Sequence, residues 1–240
     1  MNKKKKIWLV ILIVLLVVLL TVSWFCKDLI KVVFTGITET PEQIEQKKEE
    51  LDIKQKEALE KAGVGNIRPL DENEKEELNK GNITKEEAIE IITGKTTIDE
   101  IKKNKETGNS SDKPAKKPAE TQKPQDNTVN DKVAKLVGEI YVLEANFTSE
   151  LNALEAWALG QFVNLPMEQK AAKKKELAAI GFPKLAALES ECDGKVNSVL
   201  KELEKVLKDA GQSTELVKQI REAYEEKKIV TKSHYISEYM

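Results

Sequence analysis

The sequence predicts an all-α chain: an N-terminal transmembrane helix, short helical segments, a disordered linker and a C-terminal elongated antiparallel helical bundle. Three observations carry that prediction. Ile7 to Cys26 is a run of twenty residues without a charge, placed directly after four lysines. Residues 104–130, "NKETGNSSDKPAKKPAETQKPQDNTVN", hold three prolines, one valine and no aromatic residue. Beyond them, apolar residues recur at gaps of three and four as far as the last helix, and no alternating strand pattern of comparable length competes.

Residues 1–6 read as a cytoplasmic tail and 7–26 as the transmembrane helix. Twenty residues at ~1.5 Å each cover about 30 Å, the thickness of a hydrocarbon layer. Trp8 and Trp24 stand near the two ends, at the depth amphipathic rings prefer. Lys3, Lys4, Lys5 and Lys6 precede the run, so the positive-inside bias puts the N-terminus in the cytoplasm and residues beyond about 27 on the far side. Thr21-Val22-Ser23 is the one passable signal-cleavage site, and cutting there leaves "WFCKDLIKVVF" as a new apolar end. Retention as a signal-anchor is the expectation; release as a secreted protein is its rival.

Residues 27–66 read as a membrane-proximal helical stalk. Thr40 is a candidate N-cap with Gln43 closing a capping box, Pro41 suits the first helical position and Gly63 the stop. The apolar stripe is thin (Ile44, Leu51, Ala58, Leu59, Ala62) and Lys48 and Gln55 interrupt it. A solvated stalk is therefore expected over one strand of a coiled coil. Residues 67–103 form a small helical unit with three further capping boxes, Asp71/Glu74, Thr84/Glu87 and Thr97/Glu100. Ile67, Leu70, Leu78, Ile83, Ile89, Ile92, Ile98 and Ile101 are its expected miniature core, too small to be stable alone.

Two features of this unit bear on function. "EELNKGNITKEE" aligns with a calcium loop through Gly81, Ile83 and Glu87, but positions one, three and five are Glu76, Leu78 and Lys80. One usable oxygen, one hydrocarbon and one cation do not suit the ion, and a helix–turn–helix with Gly81 as left-handed cap accounts for the same residues. Over residues 77–92, with "LNKGNITKEEAIEII" as its main part, the chain resembles the helix–turn–helix of SHOCT modules. That resemblance implies an element aiding oligomerisation; it covers under a tenth of the chain and brings no functional residue with it.

Residues 104–130 are the expected disordered linker, since nothing in them offsets the entropy of ordering. Residues 131–240 are the expected bundle domain. Its first helix carries Val133, Leu136, Ile140, Leu143, Phe147, Leu151, Leu154 and Ala158. Asn164 and Pro166 mark a restart, and Gly181-Phe182-Pro183 is expected to break the second helix. The pattern resumes through Leu185, Leu188, Cys192, Val196, Val199, Leu203, Val206 and Ala210. Gly211 ends it, and Ser213 or Thr214 caps a third helix, whose tail residues Ile229, Val230, Tyr235, Ile236 and Tyr239 are expected to dock on the bundle.

Charge and composition exclude some functions. Residues 1–37 carry +5 (six Lys, one Asp), 38–103 carry −6 (twelve basic, eighteen acidic) and 131–240 carry −2 (sixteen against eighteen). No soluble segment has the basic excess of a nucleic-acid binder. Cys26 and Cys192 make no disulfide framework, and His234, the sole histidine, makes no multi-histidine metal site. Cys192 lies on an apolar stripe, where it serves as a small hydrophobe rather than as a nucleophile paired with His234. No catalytic, cofactor or metal residue is assigned. Lys170, Lys173, Lys174 and Lys175 form a basic run that reads as a solvated face, the sharper alternative being contact with an acidic polymer such as a cell-wall teichoic acid. The function expected is a non-enzymatic scaffold or adaptor, with the lipid bilayer and an unidentified protein as partners. An envelope enzyme acting on cell-wall polymer through a carboxylate site the sequence does not advertise is the alternative.

Overall fold

The computed structural model describes residues 40–106 and 124–239, and every regular element among them is an α-helix. In chain order these are α1 (Pro41–Lys61), α2 (Glu72–Asn79), α3 (Lys85–Ile92), α4 (Ile98–Glu106), α5 (Pro124–Phe162), α6 (Met167–Asp209) and α7 (Glu215–Tyr239). The chain divides into two compact units. One holds residues 40–55 and 219–239 of the described chain, the other 56–106 and 124–218. Among the described residues no helix is long and apolar enough to cross a membrane. The 7–26 run, with Trp8, Trp24 and the four lysines before it, lies outside the described residues.

Local chemistry sets the helix ends. All four capping boxes form. The Asp71 carboxylate accepts from the Glu74 N–H at 2.8 Å while Glu74 accepts from the Asp71 N–H at 2.9 Å. Thr84 and Glu87 exchange the same pair of bonds, as do Thr97 with Glu100 and Thr40 with Gln43. Each satisfies helix N–H groups that have no intrahelical acceptor. At the C-termini, Gly63, Gly81, Gly94 and Gly211 all have positive φ. After Gly81 the Asn82 N–H reaches the Glu77 carbonyl at 2.9 Å and the Gly81 N–H reaches Leu78 at 3.0 Å, the paired bonds of a Schellman turn. The other three glycines repeat it.

The larger unit is built on α5. Val133, Leu136, Ile140, Leu143, Phe147 and Leu151 are buried as the periodicity predicts, but so are Val137, Tyr141, Val142 and Ala145. Two sides of the helix are covered because two partners meet it: α6 on one, α2 and α3 on the other. Gly138 marks the second contact; a Cβ there would stand 3.1 Å from Ile89 Cγ2. Of the expected miniature core, Ile67, Leu70, Ile83, Ile89, Ile92 and Ile101 are buried, while Leu78 and Ile98 are half-buried. Ala88 and Ile91 join them. Burial against α5 supplies the apolar surface that 67–103 lacks by itself.

Residues 67–103, expected as a unit of their own, lie in the same compact unit as α5, α6 and the first residues of α7, up to Lys218. The Asn130 amide donates to the Gly63 carbonyl at 3.3 Å, and Lys95 pairs with Asp131 at 4.0 Å. Within the expected linker 104–130, α4 runs to Glu106 and α5 starts at Pro124, with proline in its favoured first position. Residues 107–123 lie outside the described residues.

Two further expectations are corrected. Residues 181–183 do not break α6; Pro183 sits inside it. The carbonyl that loses its hydrogen bond belongs to Ala179, and Ala179, Phe182 and Pro183 are all exposed, on the side of the helix that water reaches. The buried stripe of α6 is Cys192, Val196, Leu200, Leu203 and Leu207, whereas Val199 and Val206 are only half-buried and Ala210 is exposed.

In the smaller unit the expected solvated stalk is instead a helix with a covered seam. Ile44, Leu51 and Val230 form one apolar cluster. Gln55, which interrupts the seam, is buried, and its side-chain carbonyl accepts from Lys227 Nζ at 2.6 Å. The same ammonium pairs with Asp52 at 2.6 Å. A polar side chain at a seam position is tolerated when a partner helix brings it a hydrogen bond. Val230 is thus covered by α1, where the tail was expected to dock on the 131–240 bundle; the side chains from residue 234 onward lie outside the description.

Candidate functional site: the distal half of the helical hairpin

α5 and α6 are joined by residues 163–166 and run antiparallel as a hairpin. Helices of 39 and 43 residues are ~58 and ~65 Å long, longer than the layers that pack on them. In the proximal half, α2 and α3 add a third layer. Cys192 lies there, buried, with its Sγ 3.9 Å from the Leu143 carbonyl, in the packing role expected of it. In the distal half no third layer packs on the hairpin among the described residues. From Asn152 to Glu191, a stretch of forty residues, no side chain is buried. Two helices alone cover only the stripe between them, so Leu154, Trp157, Leu177 and Leu185 are half-buried.

Several large apolar groups there face solvent: Met167 is 80% exposed, Phe182 66% and Val163 65%, with Leu159 and Ile180 exposed to a lesser degree. The lysines singled out from the sequence share this region, on a 43-residue helix rather than a short one. They behave differently. Lys170 lies over the Phe162 ring at 5.2 Å and Lys173 pairs with Glu176 at 2.8 Å. Lys174 and Lys175 are exposed and have no ion pair among the described residues. Trp157 carries the Lys184 ammonium over its ring at 4.6 Å, a cation–π contact. Between Leu159 and Lys184 five lysines face two glutamates, a net charge of +3.

The other candidate groups are engaged elsewhere. In the loop that aligns with a calcium site, Glu76 pairs with Lys80 at 2.7 Å, Glu77 with Lys102 at 3.4 Å and Glu87 with Lys105 at 2.8 Å. The Asn82 amide, then Lys102, holds Glu77 below the usual carboxylate range. Burial pushes Glu87 up, but the Lys105 hydrogen bond and the Thr84 backbone N–H outweigh it and hold it low. Ammonium groups thus stand where a cation would have to enter. Among the described residues no group of three or more His, Cys, Asp or Glu is placed to hold a metal ion. The His234 side chain lies outside the description.

Two polar pairs were missed by sequence reasoning. Arg68 grips the buried Glu74 with two bonds of 2.6 Å, and Lys227 links Gln55 to Asp52. For the first, a signal existed, since Glu74 already had a capping role that fixes its position. For the second, the signal was the seven-residue spacing of Lys48 and Gln55 within the seam of Ile44, Leu51 and Ala58. Compared with known proteins, the chain matches no family model, no curated protein and no solved structure.

Proposed function

We propose that this chain is a single-pass, membrane-anchored scaffold or adaptor without catalytic activity, holding a helical interaction domain outside the cytoplasm. The observation that carries the reading is the unlayered distal hairpin. It extends a well-packed base as a two-helix arm whose apolar groups contribute little to the fold, a form suited to contact with something outside the chain. The anchor rests on the uncharged run from Ile7 to Cys26, and the orientation on the four lysines before it. The protein partner of the domain binds along the arm and base.

A topology experiment tests this. Phe182→Cys, in cells expressing the full chain with Cys26→Ser, is labelled by a membrane-impermeant maleimide without lysis. Cys192 stays silent because it is buried. Labelling that requires lysis overturns the orientation, and a chain recovered in the soluble fraction without detergent overturns the anchor. Protease acting between 107 and 123 should nick the chain without separating the products, because α3 packs on α5 across that segment.

A further inference from the structure

We infer that the outer face of the distal α6 helix is a docking surface for a bilayer rich in acidic lipid, a second membrane contact beyond the N-terminal anchor. Met167, Ala171, Lys174, Ala178 and Phe182 follow one another at spacings of four, three, four and four, which places them on one side of the helix. Met167 and Phe182 stand ~22 Å apart along the axis, and the alanines between them keep the face flat. Lys174 and Lys175 sit among these residues with no ion pair among the described residues. Val163, at the turn, extends the exposed apolar surface beyond the helix start.

The combination selects the occupant. A soluble polyanion engages lysines but gains nothing from a phenyl ring or a thioether in water. A second copy applied to the same face brings Lys174 and Lys175 against like charges, which disfavours it. An acidic lipid surface satisfies both parts: the apolar groups enter the headgroup–acyl boundary while the lysine stems lie flat and their ammonium groups reach phosphate. This inference rests on the anchor reading, because the anchor holds the arm near one bilayer and raises its effective concentration there.

The test is hydrogen exchange, read peptide by peptide, on the full chain in nanodiscs of phosphatidylcholine alone or with phosphatidylglycerol. Peptides covering 163–182 should exchange at least about tenfold more slowly in the acidic discs, while those covering 192–207 stay unchanged. Each lysine near an acidic surface is worth roughly fivefold in binding, so Lys174→Glu with Lys175→Glu should cost ~25-fold or more and abolish the slowing. Equal exchange in both discs overturns the inference. So does protection that appears in both lipids and grows with protein concentration, which indicates a second copy. Protection conferred by inorganic polyphosphate on zwitterionic discs also overturns it, in favour of a soluble polyanion. Failure of the anchor reads differently: the chain then does not co-purify with zwitterionic discs at all, and acidic vesicles added to it still protect 163–182 if the arm docks as inferred.

Discussion

Gly138 offers a direct measurement of whether the small helices and the long hairpin form one unit. Replacing a helix-interior glycine by alanine ordinarily stabilises by about 0.5–1 kcal/mol, since alanine has less backbone freedom to lose. Gly194, exposed within α6 and with nothing within 4 Å of its would-be Cβ, should show that gain in full. At Gly138 the same Cβ meets Ile89 Cγ2 at 3.1 Å and Ile92 Cγ2 at 3.6 Å. Overpacking of a buried contact costs about 1–3 kcal/mol, so Gly138→Ala should be neutral to ~2 kcal/mol destabilising. Removing the obstruction restores the gain: in an Ile89→Ala background, Gly138→Ala should stabilise, giving a coupling of about 1–3 kcal/mol. Urea unfolding followed by far-UV circular dichroism, on the full chain in mild detergent, supplies all the values. If Gly138→Ala stabilises as much as Gly194→Ala in both backgrounds, α3 does not pack on α5 and the two do not share one unit.

Other outcomes follow from single interactions. Arg68 holds the buried Glu74 carboxyl below its usual range, against the opposing effect of burial. A folded-state value depressed in this way gives stability that is complete above the unfolded value of roughly 4.3 and is lost as pH falls through the folded one. Wild type should therefore exceed Glu74→Gln at pH 7, and the two urea midpoints should converge as pH drops below about 4. Glu74→Ala should cost about 1.5 kcal/mol, the low end for charged hydrogen bonds, because Arg68 is half-exposed. Gly81→Ala should cost ~1–2 kcal/mol by backbone strain alone, since nothing lies within 4 Å of the added Cβ. Leu203→Ala, at a fully buried position, should cost about 2–5 kcal/mol, against ~0.5 kcal/mol or less for Phe182→Ala. Equal losses at Leu203 and Phe182 would mean that the arm has packing not visible in the hairpin.

What the sequence made legible is what short range decides. Capping boxes need only four residues and Schellman turns a glycine, and every capping box read from the sequence forms in the structure. Periodicity likewise located the core of α5. Periodicity reports that a face is apolar, however, and not what covers it. Val137, Val142 and Ala145 form a second stripe beside the first, and only the presence of α3 makes sense of both. Composition is silent on pairing for the same reason: 104–130 reads as a linker, yet 56–106 and 124–218 fall in one compact unit. Pro183 was misjudged because a proline can stay inside a helix where the freed carbonyl is open to another donor, and Ala179, whose carbonyl is freed, lies on the exposed side. The exposed arm was not legible at all. Leu154, Leu185 and Leu188 read as core by spacing, and their half-exposure follows from the absence of a third layer among the described residues.

That arm persists without the packing that holds the base. A two-helix segment with no buried residue over forty positions has no core of its own. Helices, though, are costly to start and easy to extend. The base, with three layers and capped ends, supplies the start; "MEQKAAKKKELAA" is dense in alanine, lysine, glutamate and leucine, the residues that extend a helix most readily. The arm is thus sustained by propagation and a single shared stripe. Neither contribution depends on Val163, Met167 or Phe182. A glutamate or lysine at 167 or 182 would extend the helix at least as well and would be better solvated. Folding therefore does not explain why those positions are apolar, whereas a hydrocarbon boundary flanked by acidic headgroups, met by Lys174 and Lys175, does.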